Sequence, residues 1–193
     1  MVVSVLLTDT DAMSEIIPDD KDWTWVIERR CPECGFDGRE VAPEDVADLL
    51  RANARRWREL IDAAEDADRV AEFRRRSRPD RWSELEYAVH VRDVFRLYHE
   101  RLHLMLDRDD PMYPNWDQDR AAVDGDYAAH DPSEVATQIV ADAERLASAF
   151  DSVHGEQWER PGRRSDGAAF TVSTFARYLL HDPVHHLWDV SAD

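Results

Sequence analysis

Phe170-Thr-Val-Ser-Thr-Phe-Ala-Arg-Tyr-Leu-Leu-His-Asp-Pro-Val-His-His-Leu-Trp-Asp189 is apolar on nearly every side, the pattern of a helix buried on most of its surface. At about 100° per residue, Thr174, His181, His185 and Asp189 fall on one stripe. Phe175, Leu179, Leu180, Val184, Leu187 and Val190 take the rest. His181 and His185 are one helical turn apart, so both imidazoles point the same way. Polar groups facing inward from a buried helix need a partner, and a metal is the simplest one. Pro183 lies between the two histidines, where it removes a helix hydrogen bond and should kink the axis.

Three more long amphipathic segments precede this one. The first begins near Pro43, favoured at a first helical position and followed by Glu44 and Asp45, and runs to about Ala67. Its apolar period is Val46, Leu49, Leu50, Asn53, Trp57, Leu60 and Ile61. The second runs from about Trp82, with Ser83 near its cap, to about Asp107, and buries Tyr87, Val91, Val94, Phe95, Tyr98, Leu102 and Met105. The third opens at Asp131-Pro-Ser-Glu134 and runs to about Ser152. Between the second and third lies a long connection, 108–131, with Pro111, Pro114, Trp116 and Gly125. A compact domain rarely keeps such a connection without a crossover or flap to build from it. Four long helices with one long crossover predict an all-α four-helix bundle.

The bundle is assigned to residues 41–193. Residues 1–40 are expected to form an acidic frayed tail and a small irregular or hairpin appendage, outside the helical body, around Cys31-Pro-Glu-Cys34-Gly. With a net charge of −18, nucleic acid and anionic membranes are poor partners, because phosphates would be repelled. No apolar run approaches the roughly 20 residues that span a bilayer, and Met1–Leu7 lacks the charged flank of a signal peptide. A cytoplasmic protein acting on a small molecule is expected, with a homodimer as one arrangement. Lys21 is the single lysine among 24 basic residues, a bias typical of GC-rich actinobacterial genes.

The other histidines sort by face. His99-Glu-Arg-Leu-His103 is a literal HExxH, yet on the wheel it lies opposite the apolar face, with Arg92 and Arg96, and reads as a solvated surface. His90 borders the apolar face beside Val94 and Leu97. If it meets His181 and His185, three imidazoles leave coordination positions open, as at a catalytic metal. His186 lies about 100° from His185 and reads as a packing or surface group, although the adjacent pair can exchange roles. Asp189 is placed to orient an imidazole from behind. Cys31 and Cys34 are half of a zinc ribbon whose second pair of cysteines is missing; a plain turn, a metal and a redox role all remain open. The run Arg74–Arg81 reads as a solvated loop between helices.

Glu86-Tyr-Ala-Val-His90-Val-Arg-Asp together with His181-Asp-x-x-His185-His-Leu-Trp-Asp189 resembles the DinB-like (YfiT-like) superfamily, over about residues 43–191. The resemblance implies a four-helix bundle in which a histidine of the second helix and an HxxxH pair of the fourth hold one divalent metal. Carried over, the ligands are His90, His181 and His185, with zinc or nickel as the metal. Similarity to mycothiol and bacillithiol S-transferases, and to mycothiol-dependent maleylpyruvate isomerases, implies a low-molecular-weight thiol as cosubstrate, attacking an electrophilic small molecule. A non-catalytic metal-binding or stress-response protein and a metal-dependent hydrolase are the alternatives.

Overall fold

A computed structural model describes residues 22–64, 66–78 and 81–191. The expected acidic tail lies outside these. The long helices are α1 (Val46–Asp62), α3 (Glu84–Asp107), α5 (Pro132–Asp151) and α6 (Val172–Ser191). Two short ones, α2 (Ala67–Phe73) and α4 (Gln118–Asp124), sit in the connections. α1 packs against α5 and α6, and α3 packs against the same two. Consecutive long helices α1 and α3 therefore face each other across a diagonal, as do α5 and α6. Leu50, Trp57, Phe95, Leu102, Ile139, Phe150, Phe175 and Leu179 fill the space between them.

The helix starts are set by local chemistry. Ser83 accepts from the Glu86 N–H while the Glu86 carboxylate accepts from the Ser83 N–H, a reciprocal capping box. Asp131 caps α5 by accepting from Ser133 and Glu134, with Pro132 in the first turn. The first predicted helix is shorter than expected. It ends at Asp62, and Asp66 caps a separate α2 by accepting from the Arg69 N–H.

Both loops contain structure that sequence periodicity cannot show. Met112–Tyr113 (β1) pairs in parallel with Pro161–Arg164 (β2), which pairs antiparallel with Ala169–Thr171 (β3). This small sheet ties the crossover to the segment that feeds α6. Gly162 is required there, since a Cβ would stand 2.7 Å from Met105 Cγ. At the start of α6, Thr171 and Thr174 exchange side-chain and backbone hydrogen bonds.

The arginine run is a solvated loop only in part, with Arg75 and Arg78 exposed. Arg76 grips the buried Glu86 carboxylate with two hydrogen bonds, at 2.9 and 2.5 Å, and Arg74 donates to the Ala128 carbonyl. Burial raises the Glu86 pKa, but hydrogen bonds from Arg76 and Ser83 prevail and hold it below the usual value. A carboxylate lowered in this way stabilises the fold above its unfolded pKa, and that contribution is lost as pH falls through the folded value. Arg76→Ala is expected to cost about 2 kcal/mol near neutrality, because it strands a buried carboxylate. The cost should shrink towards acid pH, as Glu86 protonates. Urea unfolding of both chains near neutrality and at acid pH measures this; an equal cost at both would refute it.

α6 runs unbroken through Pro183. The Pro183 carbonyl accepts from Asn53 Nδ2 at 3.0 Å and Trp57 Nε1 at 3.3 Å, so α1 is fastened to the middle of α6 between its histidines. The segment expected as an outlying appendage instead packs directly on α6. It is built of 3-10 turns, Thr24–Ile27 and Gly38–Glu40, rather than a hairpin. Val26 is buried, and at Gly38 a Cβ would stand 3.3 Å from Arg177 Cβ.

Candidate metal centre

α6 turns about 100° per residue, so two consecutive pairs at i, i+4 face different neighbours. His181 and His185 face the knuckle that carries Cys31 and Cys34. Asp182 and His186 face His90 on α3. Ligand-capable atoms in each group, Cys31–Cys34–His181–His185 and His90–Asp182–His186, lie within 4.8 Å of one another. The expected trio is therefore not assembled: His90 does not join His181 and His185, because the helix directs them to different sides. Its partners on α6 are each one residue further along.

At the first group, Cys31 Sγ stands 3.7 Å from His185 Nδ1. The turn is closed by the Cys31 N–H donating to the Phe36 carbonyl at 2.8 Å and the Gly35 N–H to the Cys31 carbonyl at 3.0 Å. Gly35, at φ 77°, makes the left-handed step that reverses the chain after Cys34. Both thiols are free. Burial and the neighbouring Cys31 thiol push Cys34 up to about 11, against a hydrogen bond from the Phe36 backbone. Burial and the adjacent His185 push His181 down to about 4, and burial lowers His185 as well. Both imidazoles are neutral at pH 7, the form that can bind a metal.

At the second group, His90 is fully buried, with Nε2 3.2 Å from Asp182 Oδ1. His186 Nε2 is 3.8 Å from the same oxygen. The His90 ring stacks on Trp116 and tilts against Trp82, which fixes its plane. His90 Nδ1 is buried without a hydrogen-bond partner, and it is the other nitrogen, Nε2, that faces Asp182. Burial would raise the Asp182 carboxyl, yet the charges and hydrogen bonding of His90 and His186 bring it down to about 2. Two imidazoles and one ionised carboxylate suit a borderline divalent cation and leave coordination positions free.

Asp189 lies behind both groups. Its carboxylate is 2.8 Å from His186 Nδ1 and 4.0 Å from His185 Nε2. Its nearest imidazole is thus His186, and the contact leaves His186 Nε2 to face Asp182. Arg81 holds Asp189 by its backbone carbonyl and, at 3.5 Å, by its carboxylate. Nothing local in the sequence signals Arg81, since its partner is 108 residues away.

A cleft of about 1170 Å³ is walled by tryptophans that touch the two groups, although none of the groups' own residues lines it. Trp116 lines it while also stacking on His90, and Trp23 and Trp25 line it while also covering His181. Its rim carries Asp117, Asp119 and Arg164.

His99 and His103 lie on the outer face of α3, their Nε2 atoms 3.2 Å apart. Arg101, between them in sequence, is buried on the other side, donating to the Pro114 carbonyl and lying over the Tyr113 ring. Arg92, expected at the surface, is buried and reaches Asp93 and Gln138. Among the described residues, no helix is long and apolar enough to cross a membrane.

The family model of the DinB superfamily matches residues 69–190. No curated protein matches the chain. Among solved structures, it is similar to YfiT from Bacillus subtilis, described as a probable metal-dependent hydrolase with an unusual four-helix bundle topology. The TM-score is 0.67 at 15% identity, covering 80% of this chain and 90% of that one. At that identity the likeness concerns the fold.

Proposed function

Because the chain belongs to the DinB superfamily, we propose that it is a divalent-metal-dependent enzyme whose site is His90, Asp182 and His186. Its reaction is proposed as transfer of a low-molecular-weight thiol, mycothiol-like, to an electrophilic small molecule. The observation that carries this reading is the two-histidine, one-carboxylate group that Trp116, stacked on His90, joins to a tryptophan-walled cleft. A divalent cation held there would lower the pKa of a bound thiol, making a nucleophile available near neutral pH.

The chain's own residues do the positioning. Trp82 and Trp116 clamp the His90 ring, and Asp189 accepts from His186 Nδ1. The faces of Trp23, Trp25 and Trp116, with carboxylates and Arg164 at the rim, suit a bulky polyhydroxylated thiol. The described carboxylates near His90 are already engaged: Asp93 by Arg92 and Tyr127, Asp189 by His186 and Arg81. A cation can activate either a thiol or water without a side-chain base, but a thiol, with a pKa of about 8.5, starts far closer to neutrality than water, at about 15.7. The hydrolase reading draws on the description of YfiT, and would put water in the thiol's place.

The test is conjugation of monobromobimane with mycothiol, bacillithiol or cysteine by the metal-loaded protein. Thiol-dependent turnover is expected, falling at least about 100-fold in His90→Ala, as loss of a metal ligand should exceed the 10–100-fold typical of outer-shell changes. Equal turnover in His90→Ala would sink the proposed site. Ester or amide hydrolysis without thiol transfer would replace the proposed reaction by the hydrolase one.

A further inference from the structure

We infer that Cys31, Cys34, His181 and His185 form a second metal site, a closed Cys2His2 zinc centre that locks the N-terminal knuckle onto α6. Zinc in a structural site takes four nitrogen and sulfur ligands in a tetrahedron. With Zn–S near 2.3 Å and Zn–N near 2.0 Å, a sulfur and a nitrogen of that tetrahedron stand about 3.5 Å apart. Cys31 Sγ and His185 Nδ1 are 3.7 Å apart. The four donors are all thiol or imidazole, the soft and borderline types that select zinc over magnesium or calcium.

Two further observations separate this from a chance cluster around an S–H···N hydrogen bond. His181 Nε2 is buried with no hydrogen-bond partner, a cost that a metal bond would remove. His185 turns its other nitrogen, Nε2, towards Glu33 at 3.5 Å and Asp189 at 4.0 Å. A carboxylate behind the imidazole of a metal ligand fixes its tautomer and raises its basicity. Glu33 lies between the two cysteines, so the knuckle itself supplies both sulfurs and one of these carboxylates. Trp23, Phe36 and Trp188 pack round the two imidazoles. With four protein ligands and an aromatic wall, the centre keeps no open coordination position, unlike the His90 group. Binding would release the two thiol protons to solvent as both sulfurs become thiolates.

The experiment titrates the metal-stripped full chain with Co2+ and then Zn2+. A thiolate-to-cobalt charge-transfer band with the strong visible absorption of tetrahedral cobalt is expected, bleached by one equivalent of zinc. His90→Ala should keep the band, and Cys34→Ser and His185→Gln should lose it. In the unmutated chain, zinc should shield both thiols from a thiol reagent, which keeps the test valid if a variant fails to fold. Cobalt binding without the charge-transfer band, or thiols equally reactive with and without zinc, would overturn the inference. Because the readout is spectral and survives His90→Ala, it stands or falls separately from the proposed transferase activity.

Discussion

Asp182→Asn is expected to weaken divalent-cation binding at the His90 group by at least about 100-fold, whereas Asp182→His is expected to retain it. The asparagine keeps the shape of Asp182 but gives up the anionic oxygen that stands 3.2 Å from His90 Nε2 and 3.8 Å from His186 Nε2. Loss of an outer-shell group already costs 10–100-fold in metal affinity, and a direct ligand should cost more. Asp182→His restores a histidine pair at i, i+4 with His186, both directed at His90. In the metal-free chain the carboxylate also holds His90 by a hydrogen bond, so Asp182→Asn should lower thermal stability as well. Calorimetric titration of zinc into the three chains, each carrying Cys31→Ser and Cys34→Ser to silence the knuckle, gives the comparison. Unchanged affinity in Asp182→Asn would remove Asp182 from the ligand set.

Spacing alone points to His90, His181 and His185 on one metal, whereas the structure groups His90 with Asp182 and His186. The wheel shows that His181 and His185 share a target; it does not say which neighbour supplies the rest of it. Their neighbours prove to be the cysteines, and the adjacent positions, Asp182 and His186, turn towards α3. One sequence clue pointed this way: Cys31-Pro-Glu-Cys34 is half of a four-ligand site, and the chain holds no other cysteine to finish it. Helix ends were readable where a cap is written locally, as in Ser83-x-x-Glu86 and Asp131-Pro132. The small sheet was not, because strands of two to four residues draw their stability from pairing across about 50 positions, as Met112 does with Arg163. Arg81 was hidden for the same reason, its partner Asp189 standing 108 residues away. Arg76 reaches Glu86, only ten residues on, but across a chain reversal that periodicity does not show.

Residues 22–41 should detach from α6 when the zinc centre is broken, by a chelator or by Cys34→Ser, while the four long helices stay folded. The knuckle buries few apolar side chains of its own, chiefly Val26, Cys31 and Val41. Ordering each of its residues costs about 1–2 kcal/mol of backbone entropy. Structural zinc supplies about 10–16 kcal/mol to small zinc domains. If only about 3 kcal/mol of this acted here, local opening would change more than 100-fold. The bundle has an independent source of stability in Trp57, Phe95, Phe150 and Phe175, so its helical signal should hardly change. Release would be read at two places. The amides of Cys31 and Gly35, now bonded to Phe36 and Cys31 carbonyls, should lose protection from hydrogen exchange. Trypsin should cut after Arg29 or Arg30 at least about tenfold faster, since opening exposes a bond the closed knuckle holds rigid. The loss would also remove the Trp23 and Trp25 wall of the cleft, so thiol transfer should fall even though His90, Asp182 and His186 are untouched. Protection that survives complete zinc removal would mean that packing alone holds the knuckle, and the centre would then have no structural role.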